Sequence, residues 1–166
     1  MYNCIYIYLY IDLMDFIIVK LRDEITNNLV KVDREYLEQI FNCYRALTDA
    51  PTIPWIKFKN IVINAPSTQE IYVYKVDSIP VAIITLIIEQ KLIHSGGLVG
   101  HIEDLAVDPK YQNRGIAKHL IQYCINCARE KGCYKVILDC KEELVDFYKR
   151  NLFKEDGAYM CYRITP

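Results

Sequence analysis

Apolar residues recur along this chain with two different periods, and the changes between them lay out the elements. Asp15 to Arg22 (DFIIVKLR) is dominated by branched side chains, which predicts a first strand. Asp33 then precedes a stripe of Tyr36, Leu37, Ile40, Tyr44 and Leu47. That spacing predicts an amphipathic helix with Asp33 as its N-cap. Thr48-Asp-Ala-Pro51 ends this helix, and Trp55 to Ile63 predicts a second, shorter one. Glu70 to Val76 alternates tyrosine with branched aliphatics, Asp77-Ser78 turns the chain, and Val81 to Glu89 returns, the signature of a hairpin. Lys91 to Gly97 reads as a loop containing His94, and Leu98 to Val107 as the next strand.

In that strand the alternation slips, because Ile102 and Leu105 stand three apart. A β-bulge near Glu103-Asp104 accounts for the slip, and it would leave a backbone N–H open to a ligand oxygen. Beyond Asp108-Pro109 comes a polar turn with Gly115. A helical stripe of Ile116, Leu120, Ile121, Cys124 and Ala128 follows and stops at Gly132. Tyr134 to Leu138 is nearly all apolar, a pattern that predicts a strand buried on both faces. Glu142 to Asn151 reads as a helix and Gly157 to Ile164 as a last strand. Strands and helices in this order predict one α/β (α+β) sheet domain.

Composition narrows the class. The 166 residues suit a single domain, taken as 15–166, with residues 1–14 as a tyrosine-rich extension. A net charge of −1 lacks the basic excess that a non-specific grip on nucleic acid requires. Tyr2 to Ile11 is uncharged but falls well short of the ~20 residues that span a bilayer. It also lacks a basic leader and a cleavage site, so it is expected to pack on the sheet or on a second subunit. Seven cysteines, with no evident secretory signal, read as reduced thiols in a cytoplasmic compartment. Cys124-x-x-Cys127 falls inside a helix without a second ligand pair, so it reads as structural and no metal site is expected.

The candidate chemistry lies between Gly100 and Lys118. A strand, a polar glycine turn and a helix start present bare N–H groups to which a phosphate chain can dock. The turn is neither a P-loop nor a full dinucleotide fingerprint, and a simple strand-to-helix connection carries the same glycine. Gln112-x-x-Gly115-x-Ala117 resembles the coenzyme A pyrophosphate loop of the Gcn5-related N-acetyltransferases, with Ala117 at a position often held by glycine. Gly100-His-Ile-Glu-Asp-Leu105, Gly132-Cys-Tyr-Lys-Val-Ile-Leu-Asp-Cys140, Phe147-Tyr-Lys149 and Tyr159-Met-Cys-Tyr-Arg163 narrow the resemblance to the glucosamine-6-phosphate N-acetyltransferases. It covers roughly Glu70 to Arg163.

The resemblance implies a mixed, mostly antiparallel central sheet with a splayed, bulged strand, flanked by helices. It implies acetyl transfer from acetyl-CoA to the amino group of D-glucosamine 6-phosphate, by direct attack in a ternary complex. The product would be N-acetyl-D-glucosamine 6-phosphate, serving UDP-N-acetylglucosamine synthesis. By the same resemblance, Glu103, Asp104 and Leu105 would line the thioester end of the coenzyme. Gln112, Asn113, Arg114, Gly115, Ile116 and Ala117 would form its pyrophosphate loop, with backbone N–H groups from Asn113 to Lys118 as donors. Tyr148 matches the tyrosine at the coenzyme sulfur, and Asp139 the position that contacts the amino sugar, with Glu103 and Asp104 as the other candidate acids for the amine. Thr48, Lys91, Leu92, Ile93, His94, Asp139 and Arg163 match acceptor-binding positions.

The resemblance further implies a homodimer with a shared acceptor site, no metal, and no nucleic-acid or membrane partner. The residues keep plainer alternatives: packing for Tyr148, a surface ion pair for Asp104, solvation for a lone Lys or Arg. No single base is singled out, since a neutral amine attacking through water needs none. One departure stands out. Lys141-Glu-Glu-Leu144 lacks the asparagine that many relatives carry before Phe-Tyr, and Leu144 cannot bond the pantetheine. Acetylation of another small amine or a peptide N-terminus, or coenzyme A binding without catalysis, are the competing readings.

Overall fold

Branched and aromatic residues of period two build one five-stranded sheet in the order β1-β2-β3-β4-β5. The computed structural model describes residues 16–27, 33–162 and 164, so the leading tyrosine-rich segment and Arg163 lie outside the described residues. The strands are β1 (Phe16–Lys20), β2 (Gln69–Val76), β3 (Ile79–Gln90), β4 (Leu98–Val107) and β5 (Cys133–Ile137). β1 to β4 pair antiparallel, and β5 joins β4 in parallel. The helices are α1 (Leu21–Thr26), α2 (Arg34–Arg45), α3 (Trp55–Asn64), α4 (Ile116–Glu130) and α5 (Val145–Arg150).

The expected helix α2 forms with the expected cap, Asp33 accepting from the Tyr36 N–H at 3.0 Å. The hairpin turns at Asp77 and Ser78, both left-handed (φ 49° and 68°), the twist that a two-residue connection needs. β1 is shorter than the reading to Arg22, because Leu21 and Ile25 are four apart and bury as the face of α1.

The sheet separates two cores. On one face Tyr72, Ile84, Leu86 and Ile102 meet Leu120, Ile121, Cys124 and Ala128 of α4. On the other Val73, Ile83 and Ala106 meet residues of α1, α2 and α3, among them Leu21, Ile40, Phe41 and Phe58. β3 runs between them with Val81 to Ile84 completely buried, as a central strand covered on both faces must be. Gly100 lets α4 close on the sheet, since a Cβ there would lie 3.2 Å from the Ala128 Cβ and 3.3 Å from Val136 Cγ2.

Two expectations fail at the β5 margin. β5 is not buried on both faces: Tyr134 and Lys135 are exposed, because among the described strands only β4 pairs with it. Residues 157–162 form no strand, and Tyr159, Met160, Tyr162 and Ile164 stay 68–91% exposed. Their alternation is real, but no neighbouring strand among the described residues takes it up. The helix expected from Glu142 begins as a 3-10 turn, Glu142–Leu144, before α5 proper.

Beneath α1 lies a buried ion pair. Lys75 Nζ is 2.6 Å from Glu24 Oε1, and the Tyr36 hydroxyl donates to Glu24 Oε2 at 2.6 Å. The ammonium also sits 5.6 Å from the Tyr36 ring centroid. Burial and the adjacent carboxylate raise the Tyr36 phenol far above its ordinary range, so it serves here as a donor only. Removing one partner leaves the other charge uncompensated, a cost of about 3–5 kcal/mol. Lys75→Met is therefore expected to lower the unfolding free energy by about that amount in urea titrations. The double variant Glu24→Leu/Lys75→Met should recover most of the loss; additive losses would contradict the pairing.

Candidate active site

The site begins where two strands part. β4 and β5 pair only from Leu98 with Cys133 to His101 with Ile137, and from Ile102 onward β4 has no partner on that side among the described residues. Against β3 the register breaks: Glu103 faces Thr85 and Ala106 faces Ile83, so Asp104 and Leu105 together oppose Ile84. This is the expected bulge, with Asp104 in the left-handed region (φ 52°), which aspartate tolerates better than most residues. Bulge and split coincide, so β4 offers backbone groups along one open edge.

At the far end of that edge the glycine turn takes the form the sequence predicts. Gly115 is the N-cap of α4 at φ 78°, with open space where a Cβ would lie. Among the described residues no side chain caps the helix and its first turn holds no acid, so its leading N–H groups are left open there. The Gln112 amide donates to the Val107 carbonyl at 3.2 Å, tying the turn to the end of β4. Asn113 is left-handed (φ 61°). Arg114 lies 5.1 Å from the Tyr111 ring centroid and donates to the Lys110 carbonyl at 3.1 Å, which orders a cation beside the helix start. Open amides, a cationic rim and an unpaired strand edge fit a pyrophosphate and an amide-bearing arm.

Acidic and phenolic groups gather around the split. Glu103 and Asp139 each lie two residues beyond the last β4–β5 rung, on the two diverging arms. Burial raises the Glu103 carboxyl, helped by the charges of Asp139 and Asp104, while His101 opposes the shift. Burial pushes the Tyr148 phenol up to about 12, with Cys140 and Asp139 adding to it. Its ring also packs edge-on against Phe147 and Phe153, so packing and proximity to the acids hold together. Tyr44 of α2 joins this group: burial raises its phenol and Asp104 adds to the shift. The sequence pattern gave Tyr44 only a place in a helical stripe, and the one signal there was its position next to the helix end.

The acceptor candidates are less gathered. Thr48 lies in the exposed turn after α2, its N–H bonded to the Tyr44 carbonyl. Leu92 and Ile93 are largely exposed in the β3–β4 loop. The His94 ring packs against Tyr134 of β5 at 4.8 Å, while Lys91 turns to Glu89 at 2.6 Å. Leu144 is exposed in its 3-10 turn.

Residues 34–152 match the acetyltransferase (GNAT) family. The chain is 35% identical to the glucosamine 6-phosphate N-acetyltransferase of Candida albicans, a match covering 81% of this chain and 91% of that one. It is 36% identical to the Trypanosoma brucei brucei enzyme of the same name, over 69% and 80% of the two chains. Among solved structures, a Trypanosoma brucei acetyltransferase superposes with a TM-score of 0.76 at 29% identity, covering 90% of this chain and all of that one. The Arabidopsis thaliana glucosamine-6-phosphate N-acetyltransferase gives 0.75 at 25% identity, covering 91% and 99%.

The raised Glu103 carboxyl has a consequence for stability. A carboxyl whose folded pKa exceeds its unfolded one favours the fold below the unfolded value and loses that contribution as pH rises through the folded value. Ionising Glu103 thus costs the fold stability. Glu103→Gln should raise the melting temperature at pH 7, and the gain should shrink toward pH 4. A gain that persists undiminished in acid would refute this origin of the cost.

Proposed function

The chain belongs to the acetyltransferase (GNAT) family, and from that premise we propose that it transfers the acetyl group of acetyl-CoA to the amino group of glucosamine 6-phosphate. The product, N-acetylglucosamine 6-phosphate, would feed UDP-N-acetylglucosamine synthesis. The observation that carries this reading is the open β4 edge, which runs from the Glu103–Leu105 bulge to the Gly115 helix start. The likeness to enzymes that bear this name supports the choice of acceptor.

In this reading the amides at the start of α4 hold the coenzyme's pyrophosphate, and those of the bulge aim at the thioester carbonyl. One such preorganised donor contributes about 2.7–4 kcal/mol to acyl-transfer catalysis. Tyr148, protonated throughout the neutral range, donates to the departing sulfur. Glu103 and Asp139 face the amine, and the raised Glu103 carboxyl accepts a proton more readily than an ordinary carboxylate does. Thr48, Lys91 to His94 and Arg163 would hold the phosphosugar. Leu144 in place of an amide side chain favours one second reading, weak coenzyme binding with little or no turnover.

We propose further that the protein works in the cytoplasm as a homodimer with a shared acceptor site. The margin of β5, which no other described strand pairs with, and the exposed apolar side chains of Met160, Tyr162 and Ile164 support this association. A fully active monomer in sedimentation would contradict it.

The deciding assay is thiol release from acetyl-CoA. Glucosamine 6-phosphate should drive it and glucosamine should not; release with peptides alone would reject the acceptor assignment. Tyr148→Phe should lower kcat by about 10²-fold or more while leaving the melting temperature near that of the wild type. Unchanged turnover at neutral pH would remove its role as proton donor.

A further inference from the structure

Two phenols stand near the split on opposite faces of the sheet, and the proposed transfer uses only Tyr148. Tyr148 packs with Leu105 against the core beneath α4. Tyr44 packs against the other core, where Ile83 of β3 and Ala106 of β4 meet α2. Glu103 belongs to that second face. It stands opposite Thr85, which is two residues on from Ile83, and residues two apart on a strand point the same way. Tyr44 and Glu103 therefore share one side of the sheet, and Tyr148 lies on the other.

The Tyr44 ring is held, while its hydroxyl is not engaged. The ring centroid lies 6.0 Å from that of Phe41, three residues earlier on α2. Among the described residues the hydroxyl has no hydrogen-bond partner, and none of their buried side-chain oxygens goes without one, so the Tyr44 oxygen reaches solvent. Burial raises the phenol, with the charge of Asp104 adding to the shift, so it stays protonated through the neutral range and offers a donor. A donor on a ring already fixed by packing loses little freedom when a ligand meets it.

The surroundings of that donor indicate the ligand it would meet. The Thr48 N–H donates to the Tyr44 carbonyl at 3.0 Å, which sets Thr48, an acceptor-binding candidate, one helical turn beyond Tyr44, about 5.4 Å along the axis. On the strand side, Asp104 directly follows Glu103, the carboxylate assigned to the amine. The phenol is thus flanked by Thr48 on its own chain segment and by the Glu103–Asp104 bulge of β4. An amino sugar carries hydroxyls on the ring carbons beside the one that bears the amine, whereas a peptide N-terminus has no such ring. This inference rests on the proposed acetyl transfer to glucosamine 6-phosphate and deepens it. We propose that Tyr44 is a specificity-determining residue for the acceptor, its hydroxyl donating a hydrogen bond to a ring hydroxyl next to the amine. A site built to bond a substrate hydroxyl disfavours the analogue that lacks it.

Steady-state kinetics on the purified protein test this, with glucosamine 6-phosphate and its 1-deoxy and 3-deoxy analogues as acceptors. Tyr44→Phe keeps the ring and its packing, so the melting temperature should stay near that of the wild type. The variant should raise the KM for glucosamine 6-phosphate by about tenfold and leave the KM for acetyl-CoA within about twofold. The wild type should use one of the two analogues about tenfold less efficiently, in kcat/KM, than the parent sugar. In Tyr44→Phe that gap should close to about twofold or less, because removing the second partner of a bond already lost costs little more. A gap that survives in the variant would overturn the proposal, as would an unchanged KM for the parent sugar or a wild type indifferent to both hydroxyls. A shift of similar size in the acetyl-CoA KM would also overturn it, as the mark of a merely structural role. If the wild type does not acetylate glucosamine 6-phosphate at all, the acceptor reading itself fails, and that result is seen before any variant is compared.

Discussion

The structure depends on a parallel strand pair that is allowed to form over one end only. β4 and β5 are held together from Leu98 to His101, then separate. Backbone groups left without a partner are costly when buried, so a strand edge of this kind persists only where water or a ligand can reach it. The closed end is what makes the open end reproducible. α4 and β5 lie so near β4 at Gly100 that a Cβ there would crowd Ala128 of α4 and Val136 of β5. The apex of the split is therefore set by close packing, and the open amides and the carboxylate pair inherit their spacing from it.

The electrostatics of the two sheet regions differ in kind. Beneath α1, Glu24, Lys75 and Tyr36 are buried and mutually satisfied, an arrangement that ties two helices to β2. Around the split, the charges of Asp104 and Asp139 act on Glu103, which responds together with its burial by a raised carboxyl pKa. Like charges gathered at a cleft edge oppose folding and suit proton transfer, which is the usual relation between stability and a working site. The Lys91–Glu89–His101 cluster is intermediate: a partly exposed carboxylate joined to two partners.

Much of this was legible in residue order. The Asp33 cap, the α2 and α4 stripes, the hairpin and the Gly115 turn are local patterns, each set within a few residues. Even the bulge showed, because one inserted residue produces the slip in alternation between Ile102 and Leu105. What failed was any inference about neighbours. Tyr134 to Leu138 has the composition of a doubly covered strand but sits at a margin, and the alternating residues after Gly157 find no strand to join among the described residues. α1 was hidden because its few residues continue the apolar run of β1.

By itself, then, the order of residues determined most of the helices and strands, where a phosphate-compatible turn lies, and which side chains have chemistry to offer. These follow from periodicity, capping and backbone stereochemistry, which act over short distances along the chain. Only the tertiary structure decided that β4 and β5 part after His101, that Tyr44 from a distant helix joins Asp104, and that Glu89 binds both Lys91 and His101. Those depend on register and packing between segments far apart in the chain, where the energy lies in contacts that no local pattern specifies.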